Sequence, residues 1–203
     1  MNVLTHIGIS LRLRNAIKRS MDVKLSTLGF IWGNVKPDLI SRQRKIPHFK
    51  KDADLYFRTE VRRIINKRIY ENEKCPVDFS VHLGTITHYL SDFFCHAHSE
   101  NFKGGFFKHN LYEAWLNLHC AVHSGRIVQE HENADVIFYN SNAICNRIDK
   151  LQYKYLKSKK SARPETDLNY LYKACMMLSR SIIASCLVGV EAVAIPQLSV
   201  FTP

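Results

Sequence analysis

The sequence predicts an all-α fold, and three observations carry the prediction. Apolar residues recur at helical spacing through most segments instead of alternating in twos. Gly and Pro are scarce, eight and six in 203 residues. Dipeptides that nucleate β-hairpins, such as Asn-Gly and Asp-Gly, are also scarce. The length suffices for one well-buried core, so residues 1–203 are expected to form a single compact multi-helix domain.

The elements follow in order. Residues 3–19 read as a first helix, with Leu4, Ile7, Leu11 and Ile17 on one side and basic residues on the other. Gly33, Pro37 and Pro47 interrupt residues 26–50, which predicts short turns and loop there. From Ala53 to about Tyr70, Leu55, Val61, Ile64, Ile65 and Ile69 form the apolar stripe of a helix whose outer face is strongly basic. Pro76 suits the first turn of the next helix, which continues through His88 and Asp92. Lys103-Gly104-Gly105 breaks the pattern. It resumes from Phe106 to about His123, and a further helix is expected over 126–157. The polar stretch KSKKSARPETD reads as a linker in which Thr166 or Asp167 caps a final helix. The apolar run at 181–195 carries Glu191 and falls short of the roughly 20 residues a membrane span needs, so it reads as buried helix.

Composition narrows the function classes. Hydrophobic residues make up 46% and charged residues 23%, which excludes a disordered chain. The formal charge of +11, from 29 Lys and Arg against 18 Asp and Glu, favours an anionic partner: nucleic acid, an acidic membrane surface or a phosphorylated substrate. The basic residues are dispersed along the chain, the pattern of a solvated surface more than of one reading face. Six cysteines occur without C-x-x-C spacing, which fits neither a zinc ribbon nor a disulfide framework. The first 20 residues lack the long apolar core of a secretion signal, so a cytoplasmic location is expected.

Chemistry concentrates in HYLSDFFCHAHSENFKGGFFKHNLYEAW, residues 88–115. Residues i and i+4 share a helix face with Cβ atoms about 5–6 Å apart. Zinc takes His nitrogen or carboxylate oxygen at about 2.0–2.2 Å, so such a pair can reach one ion. His88 with Asp92 is one pair, and His109 with Glu113 is a second across the glycine break. One His-x-x-x-Glu pair is usually a surface hydrogen bond; two pairs with two further histidines between them put a metal site between helices on an equal footing with that reading. Spacing leaves His96 and His98 equal, since at about 100° per residue they fall on either side of His88. Asp38 after Pro37 and His48 after Pro47 suit a rim above that floor. His6 lies among apolar neighbours in the first helix. Taken singly, Asp38 reads as a cap, His48 as a surface residue and His6 as a core histidine.

Together these residues resemble the bacterial zinc-dependent phospholipase C family. Its ligand signature, H-x3-D-x5-H followed by H-x3-E, is matched by His88, Asp92 and His98, then His109 and Glu113. The family's N-terminal histidine is matched by His6, its aspartate after Pro by Asp38, and its following histidine by His48. The resemblance covers residues 1 to about 115 and selects His98 over His96. It implies up to three zinc ions. Asp38, His48, His88 and Asp92 would hold one, and His98, His109 and Glu113 a second. His6, a bridging Asp92 and the amine and carbonyl of residue 1 would hold the third. Relatives begin the mature chain with Trp, whereas this sequence begins Met1-Asn2. They also can carry a C-terminal lipid-binding domain, for which nothing here remains.

The function so implied is phosphodiester hydrolysis by a metal-activated water, with the second oxygen of Asp38 as general base. The expected reaction is phospholipase C cleavage of a phospholipid to diacylglycerol and a phosphorylated head group. No G-x-S-x-G nucleophile elbow is present. Two alternatives share the ligand logic. A single-strand nuclease would stack bases on aromatics such as Phe93, Phe94, Phe106, Phe107 and Trp115, but such enzymes end the signature with Asp instead of Glu113. A zinc-stabilised helical protein that binds a membrane or a partner without turnover is the other.

Overall fold

The computed structural model describes residues 1–40, 46–70, 74–132, 136–158 and 162–188. These form α1 (Val3–Met21), α2 (Thr27–Leu39), α3 (Lys50–Ile65), α4 (Val77–Phe93), a single 3-10 turn (His96–His98), α5 (Phe106–Glu130), α6 (Ser141–Lys157) and α7 (Pro164–Val188). Among the described residues the only β pairing is one isolated bridge between Lys24 and Lys74. The all-α expectation holds. No helix among them is long and apolar enough to cross a membrane.

α4 lies at the centre. From Phe79 to Phe93 it is buried almost all round, and α2, α3 and α7 pack against it, while α1 packs on α2, α5 and α7. A helix apolar on every face must be surrounded by protein. Its core partners include Phe30 of α2, Phe57 of α3, and Leu171 and Leu178 of α7.

The largest departure from expectation is α2, a helix of 13 residues where turns and loop are predicted. Ser26 accepts a hydrogen bond from the Gly29 N–H and caps it. Pro37 sits in the last turn, so its missing N–H and its ring disturb little beyond the Gly33 carbonyl. Gly33 is needed for packing: a Cβ there would lie 2.2 Å from the Val81 carbonyl oxygen and 2.9 Å from the Gly84 Cα. Two glycines facing each other let α2 and α4 approach backbone to backbone, and that burial overrides the local propensity of both residues.

Other boundaries shift for similar reasons. α3 starts at Lys50 and ends at Ile65, earlier at both ends than expected. α5 runs on through the exposed Gly125 to Glu130 because Cys120, Ser124, Ile127 and Val128 extend its buried face. The helix expected over 126–157 therefore divides, and Asn140 caps α6 afresh by accepting from the Ala143 N–H. Leu4, Leu11 and Leu55 point to solvent. The buried face of α1 is instead Thr5, His6, Ile9, Ser10, Leu13, Ala16 and Ile17, three of them polar. Neither Thr166 nor Asp167 caps α7, which begins at Pro164. Residues 189–195 of the expected C-terminal helix lie outside the described residues. All six cysteines are buried and unpaired.

Candidate metal centre

The sequence-predicted residues come from six places and gather about one carboxylate. α1 supplies Met1 at its start and His6; α2 supplies Asp38 from its last turn; the segment before α3 supplies His48. α4 supplies His88 and Asp92 on one face, the 3-10 turn supplies His98, and α5 supplies His109 and Glu113. Asp38 is thus a helical residue, not the loop residue expected.

Asp92 is fully buried at the centre. Its Oδ1 lies 2.6 Å from the Met1 amine, 3.5 Å from His6 Nε2 and 3.3 Å from His98 Nδ1. Its Oδ2 lies 3.0 Å from His48 Nδ1 and 3.5 Å from His88 Nε2. Asp38 Oδ1 is 3.6 Å from His48 Nδ1 and 3.8 Å from His88 Nε2. At the other end Glu113 Oε1 stands 3.1 Å from His98 Nε2 and 3.0 Å from His109 Nε2. The His6 and His88 rings stack at 4.0 Å, and those of His98 and His109 at 5.2 Å.

These separations test whether the residues fit zinc. Four ligands at about 2.1 Å in a tetrahedron stand about 3.4 Å apart. Most of the donor-to-donor distances above scatter around that value. Donor atoms of Asp38, His48 and His88 all lie within 4.8 Å of one another, as do those of His98, His109 and Glu113, and those of His6, His88 and Asp92. Moreover His6 Nε2, His88 Nε2, His98 Nδ1, Asp38 Oδ2 and Asp92 Oδ2 are buried and make no hydrogen bond. Buried polar atoms left unpaired are costly, and those of His6, His88 and Asp92 would find their partner in a bound ion. The donor set fits the metal.

Electrostatics favours the same protonation states that ligation needs. Burial alone would raise the Asp92 carboxyl, but the Met1 ammonium, His98 and His6 hold it well below the carboxylate range. Glu113, likewise buried, is held at about 2 by the His98 hydrogen bond and the Met1 charge. Burial drives the His88 imidazole well below its ordinary value, which keeps it neutral as ligation requires. Burial raises Asp38, and nearby Asp92 adds to the rise while His6 opposes it.

Two residues that the sequence reading missed support the candidate ligands. The Asn34 carbonyl can only accept, so the His88 Nδ1–H donates to it at 2.7 Å and leaves Nε2 bare towards the cluster. Asn34 is fixed in turn by donating from Nδ2 to the Phe30 carbonyl and accepting from the Thr87 hydroxyl. It stands four residues before Asp38 on the same helix, a spacing that could have marked it. Asp167, fully buried, accepts from the His96 N–H, the Tyr112 hydroxyl and the Tyr155 hydroxyl, each at 2.8 Å. It thereby ties α7 to the turn bearing His98, to the neighbour of Glu113 and to α6. His96 itself turns away, with its ring between Phe102 and Tyr112. The geometry brings His98 to the cluster and leaves His96 out.

No curated protein and no solved structure gives a significant match to the chain. A family model does, described as zinc dependent phospholipase C, over residues 5–162. That span includes every side chain of the cluster apart from the first residue, and it covers well over half of the sequence. The chain therefore belongs to the zinc-dependent phospholipase C family.

Proposed function

We propose that this protein is a phospholipase C that hydrolyses the phosphodiester bond between diacylglycerol and the phosphorylated head group of a phospholipid. The observation that carries the reading is the convergence of eight donor side chains, with buried Asp92 among them, at spacings that suit zinc, in a chain of this family. Asp38, His48, His88 and Asp92 would hold one ion, and His98, His109 and Glu113 a second. His6, Asp92 and the backbone of Met1 would hold a third.

Zinc bound there supplies a nucleophile at neutral pH and stabilises charge on the phosphate oxygens. The chain does the rest. Asp38 Oδ2, free of any hydrogen bond, takes the proton of the attacking water as phosphorus gains its oxygen and loses the glycerol oxygen, which takes up a proton and leaves as the hydroxyl of diacylglycerol. Asn34 keeps His88 in one tautomer and orientation. Asp92 braces both ends of the site through its two oxygens. His109 and His48, the most exposed of the nitrogen donors, mark the side from which a diester enters.

Metal content per purified chain and turnover of a fluorescent phosphatidylcholine, with single-stranded DNA beside it, test the reading. Two or three zinc ions with lipid turnover are expected. Asp38→Asn should lose most turnover, roughly a hundredfold or more as for a lost general base, while the ion at His98, His109 and Glu113 stays bound. Hydrolysis of DNA without lipid would make the chain a nuclease. Full retention of function in Asp38→Asn would make it a binding protein.

A further inference from the structure

The strongest feature outside the metal centre is the outer face of α5. Phe107, Leu111, Trp115, Leu118 and Val122 are each exposed, by between 45% and 77%. At 100° per residue they fall within an arc of about 80° and run for about 22 Å. The opposite face of the same helix carries His109, Glu113, Leu116, Cys120 and Ile127 towards the core and the cluster. α5 is therefore apolar on two opposite sides, and the described residues cover only one. A contiguous apolar stripe of this size on a soluble surface marks an interaction site.

Three observations identify the occupant. Lys108 and Arg126 lie at the same angle along one edge of the stripe, 18 residues apart, with Lys103 just before the helix; Arg126 has only an exposed, 3.6 Å pairing with Glu130. An apolar face with a cation at each end of one edge matches lipid acyl chains beneath anionic head groups. Next, an apolar groove of about 520 Å³ opens beside the stripe between Leu111, Tyr112 and Trp115 on one side and His96 and Phe102 on the other. Finally, the Phe107 end of the stripe adjoins His109, 30% exposed at the edge of the metal centre. A second copy fits less well, because pairing two chains of formal charge +11 would bring like charges together.

We propose that the exposed stripe of α5 is the surface on which this protein lies against an anionic phospholipid bilayer, with its Phe106–Phe107 end bringing the metal centre to the lipid. This rests on the phospholipase reading for its purpose but is measured without turnover. The helix lies in the interface plane with its apolar side chains among the upper acyl segments.

The chain has two tryptophans, Trp32 and Trp115, so in zinc-loaded Trp32→Phe protein the emission comes from Trp115. Vesicles of equal parts phosphatidylglycerol and phosphatidylcholine should shift that emission to the blue and co-sediment the protein. High salt or pure phosphatidylcholine should weaken both effects. The triple variant Leu111→Ser, Leu118→Ser, Val122→Ser should lower the vesicle partition coefficient at least roughly tenfold, since three exposed aliphatics no longer enter the bilayer. It should keep its turnover of a monomeric short-chain phosphatidylcholine in solution. Equal partition of the variant and the parent overturns the proposal. So does Trp115 emission that is already blue in the free protein and unmoved by vesicles, which would mean that the chain covers its own stripe. A dimer of the parent chain that the triple variant dissolves overturns it in favour of a second copy. Failure of the enzymatic reading shows separately, as no hydrolysis of the short-chain lipid.

Discussion

Replacing Gly33 with Ala adds one methyl group and should disturb both the fold and the metal. A Cβ at this position would meet the Val81 carbonyl oxygen at 2.2 Å, the Gly84 Cα at 2.9 Å and the Thr85 nitrogen at 3.0 Å. All three are backbone atoms of α4, which cannot rotate aside as a side chain would. Ordinary contact begins near 3.4 Å, so α2 must retreat from α4 by about 1 Å. Overpacking of this kind typically costs about 1–3 kcal/mol. The same retreat would lengthen the bond from His88 Nδ1 to the Asn34 carbonyl from 2.7 Å to about 3.7 Å, beyond hydrogen-bond range. Losing the partner that orients a ligating histidine lowers metal affinity by about 10–100-fold. Urea unfolding followed by far-UV circular dichroism reads the first effect, and competition for zinc with a chromophoric chelator reads the second. Gly125→Ala is the control. Gly125 lies within α5 with nothing inside 4 Å of the added methyl, so this change should stabilise by about 0.5–1 kcal/mol and leave zinc binding alone. If Gly33→Ala unfolds at the same urea concentration as the parent and binds zinc equally well, the two glycines do not set the spacing of α2 and α4.

Other outcomes follow from single contacts. His98→Ala should remove the ion it shares with His109 and Glu113, whereas His96→Ala, whose ring faces Phe102 and Tyr112, should leave the zinc count unchanged; elemental analysis of the two purified variants decides it. Burial pushes the Asp167 carboxyl up to about 7 against the hydrogen bonds from His96, Tyr155 and Tyr112. The folded state then binds the Asp167 proton more tightly than the unfolded chain does, so its contribution is complete below about pH 4 and is lost as pH rises towards 7. The stability of the parent relative to Asp167→Asn should therefore fall by a few kcal/mol across that window. A flat difference would mean that the three donors keep the carboxylate ionised throughout. Asp167→Leu, which strands all three donors, should cost about 3 kcal/mol or more at any pH in the same unfolding assay.

Much of the site was legible in the sequence because helical spacing is local information. His88 with Asp92 and His109 with Glu113 are pairs that any helix would align, and both occur on helices where expected. The choice between His96 and His98 was not local. It depends on the path of the chain after α4, where Asp167, some 70 residues away in sequence, fixes the His96 N–H and turns the two rings to opposite sides. The helix α2 was misread because Gly33 and Pro37 are unfavourable in isolation. Their cost is met by contact with Gly84, which a single segment cannot display. Helical spacing of apolar residues points Leu4, Leu11 and Leu55 inward, yet the buried face of α1 includes Thr5, His6 and Ser10, and that of α3 is Ala53, Phe57, Val61 and Ile64. Placing polar ligands on a buried face pushes the nominal apolar stripe around the helix.

The six buried thiols give the molecule a built-in recorder of its own opening. Burial lifts Cys75 to about 11 and Cys175 and Cys186 to about 12, so the folded protein offers almost no thiolate to an alkylating reagent. Modification must wait until a segment comes apart. The residues are distributed over the stretch before α4, the one after it, and α5, α6 and α7, with none in α1 to α3. The order in which Cys75, Cys95, Cys120, Cys145, Cys175 and Cys186 become labelled would thus report which part of the bundle loosens first. The same series repeated with and without zinc would trace how far the influence of the ions spreads from Asp92 into helices that never touch them.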